Sequence, residues 1–344
     1  MFTAIVNEAL FRLGLNPRGT APFPRSMAPM LMHKADRLVS SPDWTYEPKW
    51  DGFRVIATLR DGSVRLLSRN GHSFTRLFGP VSDALRSFPA SLVLDGEVVA
   101  ITDEGRPDFE ALQGRLRPRD GKLPGHLYYM VFDCVYVNGH ALFGRPLEER
   151  QHIMQELRPA LASDAVKLTE PFPATQSRRL MEACAAMGLE GVIMKRKRSL
   201  YRPGYRSPDW IKVPIRHTDE FVVIGYLARA RPSRQPDPGA VRPTGQDRVC
   251  GLVGVGPIRR GARHAADTAS RLEAEDLPLR SAPVLRDHFG ELRTDLPPQW
   301  VRPVVVVQVE YRKRTGKVCA TLRSKGCAPI SRPAGWSSRR SPDC

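Results

Sequence analysis

The stretch Glu47-Pro48-Lys49-Trp50-Asp51-Gly52-Phe53-Arg54 decides how the rest of the chain is read. Pro48 stiffens the approach to Lys49, and Asp51-Gly52 permits a sharp turn just beyond it. Arg54 follows, so an amine and a phosphate-binding guanidinium stand close together. Lys49 is read as a nucleophile. A lysine amine attacks only when neutral, so its pKa must fall from about 10.4 toward the working pH, and roughly two units cost about 2.7 kcal/mol. Nearby cations and partial burial favour the neutral amine, and Mg²⁺ would add to this.

Outward from this stretch the pattern is strand-like. Phe53 to Leu59 and Val64 to Ser68 are apolar or β-branched runs separated by Arg60-Asp61-Gly62-Ser63, a hairpin signal. Arg69-Asn70-Gly71 makes a further turn, so Lys49, Arg54 and Arg69 are expected at strand ends around one cleft. Helices are expected at Pro80 to Phe88, Phe109 to Leu116, Leu147 to Leu157 and Ser177 to Met187, the last closing at Gly188. Leu92 to Ile101 is an almost continuously apolar strand interrupted by Asp95 and Glu97; burial on both faces would oblige an ionised Glu97 to find a partner or a ligand. Leu127 to Val137 is another core strand ending at Asn138-Gly139, with Tyr128, Tyr129 and Tyr136 read as plain core. Glu190 and Lys195 bracket a short apolar strand, Tyr201 to Ser207 is a loop, and Trp210 to Val213 is a strand edge carrying Lys212. Strands alternating with helices, several pairing with sequence neighbours, predict an α+β domain over residues 26–216.

Residues 1–25 are read as an N-terminal extension, because a short amphipathic stretch runs into a Pro- and Gly-rich one. Residues 217–326 are expected to form a small, partly open oligonucleotide-binding-fold β-barrel. Its strands are placed at Glu220 to Tyr226, Arg248 to Val255 and Val304 to Tyr311, with a helix near Ala265 to Ala274 and a loop over Ala230 to Asp247. Residues 327–344 are expected to be a disordered tail.

Composition narrows the partner. Among 344 residues, 53 Lys+Arg against 36 Asp+Glu give a net charge of +17, which favours a polyanion such as nucleic acid through counterion release. The six cysteines are scattered and read as reduced thiols, and no two histidines stand at metal-ligand spacing. Neither a signal peptide nor a membrane span is expected, and the predicted location is the cytoplasm, at the bacterial nucleoid. No Walker loop or Rossmann fingerprint is present.

The ordered set Lys49-x-Asp-Gly-x-Arg54, Ser68-Arg69-Asn70-Gly71, Asp95-Gly96-Glu97, Phe132-Asp133, Glu190 to Lys195 and Trp210-Ile211-Lys212-Val213 resembles the covalent nucleotidyltransferases. It is most similar to bacterial ATP-dependent DNA ligases linked with double-strand-break repair, over roughly Met27 to Leu322. The resemblance implies that Lys49 forms a phosphoramidate with AMP, and that Glu47, Arg54, Arg69, Glu97, Phe132, Lys195 and Lys212 bind the nucleotide. Within that set, Arg54 and Arg69 also serve the DNA 5′ phosphate, Glu97 the ribose and Phe132 the adenine ring. Glu190 and Glu97 would hold metal. The implied cofactors are ATP and Mg²⁺ or Mn²⁺, and the implied partners are duplex DNA with nicks or ends and DNA-end-binding repair proteins, with the enzyme a monomer.

Two departures stand out. The family often carries a second lysine two residues after the one at Lys212, where this chain has Pro214, and Ser324 to Cys344 does not resemble the family's basic ending that orients pyrophosphate. A truncated or frameshifted tail would slow self-adenylation but spare sealing of pre-adenylated nicks. The rival readings are an RNA ligase, a GTP-using capping-type enzyme and a catalytically impaired DNA-binding module.

Overall fold

The computed structural model describes residues 2–16, 19–114 and 126–227, together with strands between 237 and 327. The expected loop through Gly125, the helix near Ala265 to Ala274 and the tail beyond Cys327 lie outside the described residues. The chain divides into two compact units, Met1–Ile215 and Arg216–Cys344.

The first unit is built on two sheets. The larger contains β3 (Phe53–Arg60), β4 (Ser63–Ser68), β5 (Leu92–Ile101), β6 (His126–Val137), β7 (His140–Ala141) and β8 (Val166–Leu168), in the order β4-β3-β5-β6-β7 with β8 alongside β6. The smaller has the order β1-β10-β9-β2, from β1 (Leu31–Lys34), β2 (Trp44–Lys49), β9 (Gly191–Arg196) and β10 (Arg206–Pro214). Helices α1 (Phe2–Arg12), α2 (Gly79–Arg86), α3 (Phe109–Gly114), α4 (Leu147–Leu161) and α5 (Ser177–Ala186) complete it.

Strand alternation divides the interior into layers. On the larger sheet, Val55, Ala57, Leu94, Val98 and Val131 pack with helical residues such as Val6, Leu10, Leu85 and Leu157. The opposite face carries Ile56, Val93 and Phe132, which meet Trp210 and Tyr201. The outer face of the smaller sheet, with Tyr46, Val192, Met194 and Val213, is covered by Leu180 and Cys184 of α5. Its other face, by the same alternation, carries Glu47 and Lys49 on β2, Ile193 and Lys195 on β9, and Trp210 and Lys212 on β10, aligned by the pairings Glu47 to Ile193, Trp210 to Lys195 and Lys212 to Ile193. Helix α4 reaches these polar faces at its N-terminal end, where Arg150 pairs with Asp133 and Gln151 donates to Glu47.

Residues 1–25 are not the expected extension. Val6, Ala9 and Leu10 share one face of α1 and are buried in the main core, and Arg12 pairs with Glu156 of α4. Spacing of three and four places these side chains on one stripe, enough to dock the helix. The Pro-rich segment that follows is tied to the β6–β7 turn: Gly19 N donates to Asn138 O, Ala21 N to Gly139 O, and Tyr136 Oη to Ala21 O.

The second unit contains β11 (His217–Leu227), β12 (Asp237–Val241), β13 (Val249–Leu252), β14 (Arg286–Asp287), β15 (Gly290–Glu291), β16 (Gln299–Tyr311), β17 (Lys313–Thr315), β18 (Val318–Ala320) and β19 (Arg323–Cys327). Five of these form an antiparallel sheet in the order β13-β12-β11-β16-β19. The predicted loop over Ala230 to Asp247 is corrected at Asp237–Val241, which pairs with β11 and β13. Asp237, Pro238 and Gly239 mask that strand in the sequence, since all three residue types are depleted from strands.

Candidate active site

Lys49 is the last residue of β2, opposite Gly191 at the start of β9. Two close backbone approaches shape this corner. A Cβ at Gly52 would come within 2.2 Å of Val98 O, and one at Gly191 within 2.2 Å of Val213 O, where φ is also +153°. Glycine at Gly52 lets the chain turn from one sheet to the other beside the lysine, and glycine at Gly191 lets the start of β9 pass close to β10.

The turn leads into a cleft lined by Lys49, Trp50, Arg54, Glu97, Phe132, Ile193, Lys195 and Trp210, with Met32 and Pro48. Lys49 Nζ forms a close ion pair with Glu190 Oε2, both side chains partly exposed. Sequence reading expected cations around Lys49; its immediate neighbour is a carboxylate. Because a lysine amine attacks only when neutral, this ion pair must be given up before Lys49 can act as a nucleophile.

Lys195 and Glu47 form a second pair of different character, Nζ to Oε2 at 2.6 Å, with both side chains 1% exposed. Gln151 Nε2 donates to Glu47 Oε1 at 3.0 Å, and Lys195 Nζ donates to Phe132 O at 3.3 Å. The ammonium also lies 4.5 Å from the Phe132 ring centroid and 4.4 Å from that of Trp210. Burial pushes the Glu47 pKa above its ordinary value against the opposing pull of Lys195.

Across the cleft, Arg54 is paired bidentately with Asp95, Nε to Oδ1 at 2.9 Å and Nη2 to Oδ2 at 2.6 Å. Its Cζ lies 5.3 Å from the Phe132 centroid and 5.8 Å from that of Trp210. Burial works against the Arg54 charge, but Asp95 outweighs it and keeps the guanidinium pKa above its usual value. Glu97 is pushed up to about 7, chiefly by burial; Lys49 and Arg54 only partly offset this, and Asp95 and Asp51 add to it.

The structure therefore brings Lys49, Arg54, Glu97, Phe132 and Lys195 to one cleft, with Glu47 behind Lys195 and Glu190 against Lys49. Lys212 stands beside Ile193 on the same sheet face. Arg69 does not line the cleft: it is exposed on the turn after β4, at the sheet end where Val55 pairs with Ser68. Sequence reading gave no role to Asp95, Gln151, Trp50 or Trp210. Period-two alternation would have found two of them, because Asp95 and Trp210 each stand two residues before an assigned residue on the same strand. Nothing in the sequence marks Gln151.

The arrangement offers an amine, two further cations and two carboxylates around an aromatic-walled cleft, a set suited to handling the phosphates of an aromatic-base nucleotide. Glu97 and Glu190 both act on Lys49; among the described residues no cluster of three or more His, Cys, Asp or Glu stands ready to hold a metal ion, and one or two carboxylates suffice for Mg²⁺ only where phosphate oxygens supply the rest.

Comparison with known proteins gives a consistent result. A family model described as ATP dependent DNA ligase domain matches residues 29–213. The multifunctional non-homologous end joining protein LigD of Pseudomonas aeruginosa is 34% identical over 306 residues, which cover 86% of this chain and 34% of that protein. DNA ligase C of Mycobacterium tuberculosis is 30% identical over 320 residues, 84% of this chain and 86% of that protein. The solved ligase domain of M. tuberculosis LigD superposes with a TM-score of 0.52 at 28% identity, covering 88% of this chain and 95% of that one. The chain spans about a third of the length of the multifunctional relatives it matches.

Proposed function

The chain belongs to the ATP-dependent DNA ligase family, and on that premise we propose that it seals 5′-phosphate/3′-hydroxyl breaks in duplex DNA through a lysyl-AMP on Lys49. In the first step the neutral Lys49 amine attacks the α-phosphorus of ATP; an N–P bond forms, the α–β phosphoanhydride breaks and pyrophosphate leaves. AMP then passes to the 5′ phosphate of the break, and the 3′ hydroxyl displaces it. The observation that carries this reading is Lys49 held at a cleft by glycine-tight turns and paired with Glu190, a partner that can be exchanged.

Binding is the work of the surrounding side chains. Phe132 offers a ring face to adenine, Glu97 reaches the ribose, and Arg54, Lys195 and Lys212 meet phosphate oxygens. Glu47 acts by holding Lys195. Glu190 and Glu97 would hold Mg²⁺ or Mn²⁺, which when bound neutralises phosphate charge and stabilises in-line transfer. Such a cation would give Glu190 an alternative partner to Lys49. Arg69, outside the cleft, is assigned to the DNA 5′ phosphate.

For the second unit we infer an oligonucleotide-binding fold that clamps the duplex through phosphate contacts; its five-stranded antiparallel sheet and the net charge of +17 support this. The end-joining relatives support breaks in double-strand-break repair as the substrate; DNA-end-binding proteins as partners and a cytoplasmic location complete the proposal. The test is incubation with α-labelled ATP or GTP. Label retained from ATP by the wild type and not by Lys49→Ala is expected; label retained from GTP alone would end the ligase reading.

A further inference from the structure

Arg54 lines the nucleotide cleft, yet its orientation is set from behind. The pairing with Asp95 uses Nε and Nη2, which leaves the two Nη1 hydrogens for another acceptor. Asp95 is itself fully buried and carries a second donor, Tyr201 Oη, on Oδ2 at 2.6 Å. Tyr201 comes from the loop between β9 and β10, to which sequence reading gave no function. It is 2% exposed, accepts from Met30 N at 3.1 Å, and packs edge-on against Trp210 at 5.8 Å and 82°. The loop itself is pinned: Arg150, ion-paired with the buried Asp133, donates to Ser199 O at 3.0 Å, and Tyr201 N donates to Phe143 O at 3.0 Å.

We propose that Tyr201 is a positioning residue for nucleotide binding: it fixes the Asp95 carboxylate, and through it turns the free edge of the Arg54 guanidinium toward a phosphate of ATP. Charge-assisted hydrogen bonds to one carboxylate from two directions remove its rotational freedom, and a bidentate fork transmits that orientation to the arginine. Burial and the adjacent Asp95 push the Tyr201 pKa well above its ordinary value, so the phenol remains a donor at working pH. This inference rests on the ligase reading, since it takes the ligand of Arg54 to be ATP.

The test is a double-mutant cycle on equilibrium ATP binding in the full chain carrying Lys49→Ala, which removes the covalent step. With Arg54 present, Tyr201→Phe is expected to weaken ATP binding about tenfold, the scale of one lost charge-assisted hydrogen bond; with Arg54→Ala it should change binding less than twofold. Equal weakening in both backgrounds, or none in the first, overturns the relay. Should Tyr201→Phe lose its near-ultraviolet dichroism, Asp95→Asn takes its place under the same two criteria. Absence of ATP binding in the Lys49→Ala parent would instead overturn the ligase reading, and the relay with it.

Discussion

Two lysine–glutamate pairs join the same two strands of the smaller sheet or their margins, and they differ in nearly everything but composition. Lys195–Glu47 is sealed from solvent, satisfied by Gln151 and the Phe132 carbonyl, and flanked by two aromatic rings. Lys49–Glu190 stands at the strand end with side-chain exposures of 19% and 33%. A buried pair is held by the cost of leaving either partner alone, whereas a partly exposed one exchanges cheaply with water, metal or phosphate. The first is equipped to hold a fixed charge in the cleft wall and the second to react.

The largest effect that would sharpen this contrast is chemical. Lys49→Ala should lower label retention from α-labelled ATP by about 10⁴-fold or more while leaving the melting temperature within a few degrees of wild type. A variant that still labels would place the nucleophile elsewhere. Next comes stability at the other pair. Lys195→Ala strands the Glu47 carboxylate, and the loss should be about 3–5 kcal/mol in urea unfolding of the intact chain; a loss under about 1 kcal/mol would show that the buried pair holds nothing together.

Glu97 provides a third probe. An unfolded glutamate loses its proton near 4.5, while the folded Glu97 keeps it up to about 7, so the folded state binds the extra proton between these values. Stability contributed by this group is therefore present at low pH and lost as pH rises through about 7. Glu97→Gln should flatten that decline in urea midpoints measured between about pH 5 and pH 8; an unchanged slope would assign the decline to other groups. The smallest effect is expected at the exchangeable pair: Glu190→Gln should shift unfolding stability by under about 1 kcal/mol while impairing labelling from ATP. A larger stability loss would erase the distinction between the two pairs.

Much of the larger sheet and the place of Lys49 at a strand end was legible because alternation and turn residues coincide there. The run Phe53 to Ser68 announces its own hairpin, and the apolar strand around Glu97 advertises a carboxylate that burial must perturb. What stayed hidden depends on packing between distant segments. Arg54 reads as a phosphate ligand, but its bond to Asp95 spans 41 positions and follows from β3 and β5 being neighbours. Glu190 reads as a metal ligand, and only the juxtaposition of β2 and β9 makes it the partner of Lys49. Residues 1–25 read as an extension because their Pro and Gly content outweighed a short apolar stripe whose receiving surface lies on α4 and the sheet.

That docking of α1 also bears on access to the cleft. The helix lies with the residues that pack on Val55 and Ala57, on the side of the larger sheet opposite the one that carries Ile56, Phe132 and the cleft. The helix therefore braces the sheet from behind and leaves the side that opens on the cleft uncovered by it.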